Sequence, residues 1–245
     1  MKTSWETITV DHSPMRLYMC QPDGAGPFPA VVVIQNQDGV AEFTQGMTRR
    51  VAEAGYLAIA PDLYHRNTPE INADHKKRAS SRQDVGVIKD VNATVDFLRG
   101  CAAADLGRLG IVGFCMGGRI AFLMAAANSM FRAAVDYYGG GVYKAWGEGP
   151  APSDRAAEIS CPIQGHFGET DNNPPPEEMR QLDAELTRLG KTHEFYFYWG
   201  AGHAFNRKGW DGYRPDADAT SWTRTLEFLR THLVDVTSRK AAVGR

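Results

Sequence analysis

Gly113-Phe114-Cys115-Met116-Gly117-Gly118 is the stretch on which the reading of this chain turns. The apolar run before it, at 109–114, reads as a short buried strand. The residues after it, at 119–127, read as a helix. A strand that passes into a helix through one reactive side chain flanked by glycines is the Gly-x-nucleophile-x-Gly elbow. Gly113 and Gly117 suit that turn, because the strained nucleophile backbone leaves no room for neighbouring side chains. Here the nucleophile position holds cysteine in place of serine. The start of a helix suits a thiolate, since unpaired backbone N–H groups and the helix dipole favour negative charge there. A buried structural cysteine beside a glycine-rich turn is the alternative reading of the same six residues.

Outward from the elbow, the chain alternates strand-like and helix-like segments. Upstream, strands are expected at 15–20, 30–34 and 56–60. The β-branched run at 30–34 suits a strand covered on both faces. A helix at 42–54 ends at Gly55, and a second carries Val85, Ile88, Val91, Val95 and Leu98 at helical spacing. The charged segment 63–81 between them reads as a loop near the site. Downstream, strands are expected at 133–138, 162–167 and 193–199, with an irregular connection at 142–160. Helices are expected at 176–189 and 221–233, and a frayed tail at 236–245. This βα alternation predicts an α/β fold with a mostly parallel central sheet and helices on both faces. The 245 residues are expected to form a single domain.

Composition narrows the function classes. A hydrophobic content of 43% and a charged content of 23% are those of an ordinary globular chain. The net charge of −2 gives no electrostatic case for nucleic acid or an anionic membrane as partner. Neither a signal peptide nor a membrane span is read, so a cytoplasmic protein is expected. The four cysteines, Cys20, Cys101, Cys115 and Cys161, are scattered without metal-ligand spacing. No metal or cofactor is expected, and all but Cys115 read as inert.

Functional groups of such sheets gather where strand ends meet loops. Asp171 stands at one such end, in Gly168-Glu169-Thr170-Asp171, where a turn aspartate is the plainer reading. His203 stands at another, in Gly200-Ala201-Gly202-His203-Ala204-Phe205, where a solvated loop histidine is the plainer reading. The order Cys115, Asp171, His203 changes that weighting. It matches the nucleophile–acid–histidine order of the α/β-hydrolases, each member following a strand. His203 would take the thiol proton and later protonate the leaving group, while Asp171 fixes the imidazole tautomer. His65, His75, His166 and His193 read as surface or packing residues, and His12 as part of an N-terminal turn.

Together with the elbow, Gln35, Gly39-Val40, Gly55-Tyr56, Pro61-Asp62-Leu63-Tyr64, Tyr137-Tyr138-Gly139, Asp171 and Gly202-His203-Ala204-Phe205 resemble the dienelactone hydrolase family, the cysteine-dependent branch of the α/β-hydrolases. The resemblance implies the α/β-hydrolase fold and a Cys115–Asp171–His203 triad. It implies an oxyanion hole from the backbone N–H groups of Met116 and Gln37. It also implies arginines that hold a substrate carboxylate: Arg207, and from the 63–85 segment Arg82, with Arg78 in reserve. Tyr138 is expected to line the pocket with Phe114, Tyr143 and Trp146, unless these are packing residues. The chain departs from the family at Asn36, where a glutamate near the cysteine is usual; Asp38, two residues on, is the alternative carboxylate.

The expected activity is hydrolysis of a small anionic lactone or ester through a thioester acyl-enzyme. The alternatives are a broad-specificity carboxylesterase of the same fold, or a weakly catalytic ligand-binding or thiol-sensing protein. The expected partner is a small-molecule substrate, with neither nucleic acid nor membrane. A monomer or small homo-oligomer is expected.

Overall fold

A computed structural model describes residues 1–235; the tail at 236–245, expected to fray, lies outside them. Eight strands make one sheet: β1 Lys2–Val10, β2 Ser13–Gln21, β3 Phe28–Ile34, β4 Leu57–Pro61, β5 Ala104–Phe114, β6 Phe131–Tyr137, β7 Ile163–Gly168 and β8 His193–Tyr198. The helices are α1 Glu42–Glu53, α2 Pro69–Ala73, α3 His75–Ser80, α4 Asp84–Arg99, α5 Met116–Ala127, α6 Pro176–Arg188 and α7 Pro215–Leu229. The strand order is β1-β2-β4-β3-β5-β6-β7-β8. The β1–β2 and β2–β4 pairs are antiparallel and every other pair is parallel. This is the α/β-hydrolase arrangement.

Strand periodicity splits the interior into two cores. In β3, Ala30, Val32 and Ile34 face a core shared with Val91 and Val95 of α4, Ile120 of α5 and Leu182 of α6. Val31 and Val33 face the opposite core, with Val51 of α1 and Phe228 of α7. Side chains alternate across a strand, so a strand covered on both faces must be apolar at every position. The same logic makes α5 apolar nearly all round: its residues from Met116 to Ala125 are buried.

Two segments differ in kind from the sequence expectation, and others only in their bounds. The first is β1, a polar edge strand that pairs with β2 through all nine residues. Its turn, Asp11-His12, has both residues at positive φ, 48° and 62°. A two-residue turn of that hand suits a twisted hairpin, but without glycine it leaves little trace in the sequence. The second is 63–81, expected as loop, which contains α2 and α3. Thr68 caps α2 by accepting from the Ile71 N–H, and Asp74 caps α3 by accepting from Lys76 and Lys77. Neither helix buries a side chain, so no apolar periodicity marks them. The last helix also starts earlier than 221, at Pro215.

A buried ion pair ties the start of α5 to its surroundings. The Arg119 guanidinium, wholly buried, donates to Asp84 Oδ1 at 2.6 Å and Oδ2 at 3.0 Å. It also donates to the carbonyls of Gly141 and Lys144 and lies 3.7 Å from the centre of the Trp146 ring. Asp84 in turn accepts from the Trp146 N–H at 2.8 Å. The pair thus joins α4, α5 and the segment after β6. Breaking such a pair strands a charge without water. Arg119→Met is therefore expected to lower the unfolding free energy by about 3–5 kcal/mol in urea titrations. Adding Asp84→Asn should restore part of that loss, because an amide costs less to bury than an unpaired carboxylate. A loss under about 1 kcal/mol in the single variant would contradict this structural role.

Candidate active site

Strand β5 ends at Phe114 and α5 begins at Met116, so Cys115 alone connects them. Its backbone sits at φ 56° and ψ −118°. Such a conformation costs a residue with a Cβ about 1–3 kcal/mol, and persists only where its surroundings over-determine it. The Cys115 N–H donates to the Tyr137 carbonyl at 2.9 Å, and its own carbonyl accepts from Gly118 at 2.9 Å. The two flanking glycines meet the sequence argument in ångströms. A Cβ at Gly113 would lie 1.8 Å from the Gly117 carbonyl oxygen, and one at Gly117 would lie 2.4 Å from that of Ile34.

Asp171 follows β7 and His203 follows β8, adjacent parallel strands whose C-terminal loops are tied together. Both the N–H and the hydroxyl of Thr170 donate to the Ala201 carbonyl at 2.9 Å. That tie sets the His203 Nδ1–Asp171 Oδ2 distance at 2.9 Å. Asp171 is buried, and its other oxygen accepts from the Asn173 N–H at 2.8 Å. Burial alone would lower the His203 pKa. Hydrogen bonds to Asp171 and to Cys115, reinforced by electrostatic attraction to both, outweigh it and push the value up to about 10. The structure therefore brings His203 and Asp171 into a hydrogen-bonded pair, with Cys115 close enough to act on the imidazole electrostatically.

Tyr138 packs against the imidazole of this pair. Its backbone has a positive φ of 42°, its ring lies edge-on to His203 at 4.9 Å, and its hydroxyl donates to Asn206 Oδ1 at 2.6 Å. It is buried packing against the imidazole rather than an open pocket wall. Phe114 is likewise buried, against Phe43 and Tyr137, and Tyr143 is exposed.

The remaining expected residues lie around the elbow. Asn36 is buried and folds back on its own loop, where its Oδ1 accepts from the Asp38 N–H at 3.0 Å. Arg207 forms an ion pair with Asp38 at 2.9 Å. Arg82 donates from Nε to the Ala79 carbonyl at 2.7 Å and lies over Trp146 at 4.3 Å. Burial holds its pKa below the ordinary arginine range, partly offset by Tyr64 and Cys115. With Tyr64 and Met116 it lines a cavity of about 130 Å³. Arg78 donates to the Asn72 carbonyl and lies over Tyr64 at 5.4 Å.

Tyr64 is a residue to which the sequence reading assigns no role. Its buried hydroxyl lies 3.3 Å from the Gln37 carbonyl oxygen and 3.2 Å from Met116 Sδ. One donor thus contacts both residues expected to supply the oxyanion hole, and burial pushes its pKa up to about 12. The signal available for it was the Pro61-Asp62-Leu63-Tyr64 motif. Among the described residues no group of three or more His, Cys, Asp or Glu is placed to hold a metal ion. No helix among them is long and apolar enough to cross a membrane.

The comparisons with known proteins agree with this fold. The model of the dienelactone hydrolase family matches residues 15–233. A Methylorubrum extorquens protein named "Putative carboxymethylenebutenolidase" is 35% identical over 88% of this chain and 76% of its own. A Bradyrhizobium protein named "Probable 2-oxo-3-(5-oxofuran-2-ylidene)propanoate lactonase" is 32% identical over 94% of each chain. The crystal structure of a "Putative Dienelactone Hydrolase" from Klebsiella pneumoniae superposes with a TM-score of 0.87 at 33% identity. It covers 93% of this chain and 98% of that one.

The raised His203 value has a consequence for stability. An unfolded imidazole titrates near 6.5, below the folded value of about 10. The folded imidazole therefore keeps a proton that the unfolded imidazole has lost. The resulting stabilisation is complete below about pH 6.5 and disappears as pH rises toward about 10. The urea midpoint is expected to fall across that window, and to fall less steeply in His203→Gln. Equal slopes for the two proteins would contradict the assignment.

Proposed function

This chain belongs to the dienelactone hydrolase family and is a carboxylic ester hydrolase; we propose that it opens small lactones or esters through a Cys115–His203–Asp171 triad. The observation that carries this reading is the His203–Asp171 pair, whose imidazole is shifted by the nearby Cys115 at the β5 elbow. Asp171 accepts from Nδ1–H of His203, which leaves Nε2 to serve the sulfur. His203 holds the thiol proton as imidazolium while Cys115 Sγ attacks the substrate carbonyl. Negative charge then builds on the carbonyl oxygen. The N–H groups of Met116 and Gln37 receive it, the first being an orphan donor at the start of α5. The C–O bond breaks, the leaving oxygen takes the proton from His203, and a thioester remains on Cys115. Water attacks the thioester with His203 as base, releasing the acid and restoring the thiol. In a lactone the leaving oxygen stays tethered to the acyl group, so a single hydroxy or oxo acid leaves.

In this reading the substrate enters past a cleft of about 830 Å³ lined by Phe43, Met47, Arg207 and Trp210. Its lining includes no triad residue but runs from Asn206, the hydrogen-bond partner of Tyr138. That volume suits a small organic ligand. Of the three cations in that lining, Arg50, Arg207 and Lys208, Arg207 is the one assigned to a substrate carboxylate, because it follows His203 by four residues. The Bradyrhizobium lactonase, whose named substrate is a propanoate, makes a carboxylate-bearing lactone the favoured class.

Kinetics test the reading directly. An activated aryl ester should give a burst of one aryl alcohol per site before slower turnover, and Cys115→Ala should remove both phases. Asp171→Asn should lower kcat by up to about four orders of magnitude, as loss of the correct tautomer does in serine triads. Steady turnover in Cys115→Ala would overturn the mechanism. Arg207→Ala should raise KM for carboxylate-bearing esters by about 1.5–3 kcal/mol in equivalent free energy, with a much smaller change for neutral ones. Equal losses on both classes would assign Arg207 to structure.

A further inference from the structure

We infer that Asp38 is a specificity-determining residue: its carboxylate occupies the anion seat of Arg207 and limits how well a negatively charged ester competes for it. The inference rests on the reading of the cleft as the substrate entrance. Asp38 belongs to the loop after β3, which with the start of α1 forms one wall of the cleft. Arg207 belongs to a second segment of the lining, 206–210, which follows His203. The 2.9 Å Asp38–Arg207 pair therefore joins these two segments of the lining. Arg207 lies between the rings of Phe43 at 6.0 Å and Trp210 at 5.2 Å, which limits where its guanidinium can turn. Asp38 is aimed by its own loop, through the bond from its N–H to Asn36 Oδ1 and that from the Gly39 N–H to the Asn36 carbonyl.

Charge accounting points the same way. The cleft is lined by Asp38, Glu42 and Asp218 against Arg50, Arg207 and Lys208. Arg50 is paired with Asp218 at 2.8 Å, as Arg207 is with Asp38, so the acidic and basic side chains balance. An entering carboxylate meets a guanidinium already neutralised. It has to displace Asp38 and then sit near that displaced negative charge. The contest is winnable, because the two side chains are 33% and 34% exposed. An ion pair so open to water closes with an equilibrium constant of at most about five. The apparent affinity for an anionic substrate falls by the fraction of Arg207 left free. A neutral ester makes no such demand on Arg207.

The test uses two aryl esters that differ only in a terminal carboxylate on the acyl chain. The measured quantity is the ratio of their kcat/KM values, anionic over neutral. In Asp38→Asn the ratio is expected to rise by up to about sixfold, through KM of the anionic ester. In Asp38→Glu, which keeps the charge, it should stay near the parent value. In Asp38→Asn/Arg207→Ala the rise should vanish. A ratio that is unchanged or lower in Asp38→Asn, or that rises equally in Asp38→Glu, overturns the inference. The hydrolase reading fails separately, by turnover of the neutral ester in Cys115→Ala.

Discussion

The backbone of Cys115 is squeezed between a strand and a helix with no loop to absorb the change of direction. Its φ of 56° is tolerated because both neighbours on the tight side lack a Cβ, and because three backbone hydrogen bonds hold it to Tyr137, Gly118 and Arg119. Much else follows from keeping that wedge in place. Helix α5 must run straight back through the interior, so it is apolar on nearly every side. Its one charged residue, Arg119, must be neutralised where it stands, and Asp84, two carbonyls and Trp146 do so. The same pair fixes Trp146, over which Arg82 lies.

Two arginine–aspartate pairs in this molecule have opposite characters, and exposure decides which is which. Arg119–Asp84 is 0% and 7% exposed, so separating its members leaves charges that water cannot reach. Arg207–Asp38 is about one-third exposed on both sides, so water replaces either partner at little cost. The first pair suits a scaffold and the second suits a seat that a ligand can enter. Both distances are short, 2.6 and 2.9 Å, so distance alone does not separate them.

The sequence made legible whatever depends on local pattern. The elbow, the buried run of β3, the amphipathic face of α4 and the strand-end positions of Asp171 and His203 were readable because each has its own periodicity or glycine signature. The edge strand β1 was not, since its pairing is dictated by β2 and by a hairpin turn without glycine. The caps of α2 and α3 were hidden in a charged segment with no buried face. In the site, the ordering of Cys115, Asp171 and His203 was visible as motifs. The partners of the charged residues were not. Asp38 and Arg207 are far apart in sequence, and only the fold shows that the presumed substrate anchor already holds an internal carboxylate. Tyr64 was visible as part of a motif, yet its contact with both Gln37 and Met116 is a tertiary fact.

The central claim is that Cys115 carries the acyl group of the substrate as a thioester. Its most direct test is acid quenching of the protein during turnover of a small ester or lactone, followed by peptide mass spectrometry. The account predicts a mass increase equal to the acyl group on the peptide that contains Cys115, released by neutral hydroxylamine. Turnover with that peptide unmodified, or with the acyl group on another residue, would contradict it.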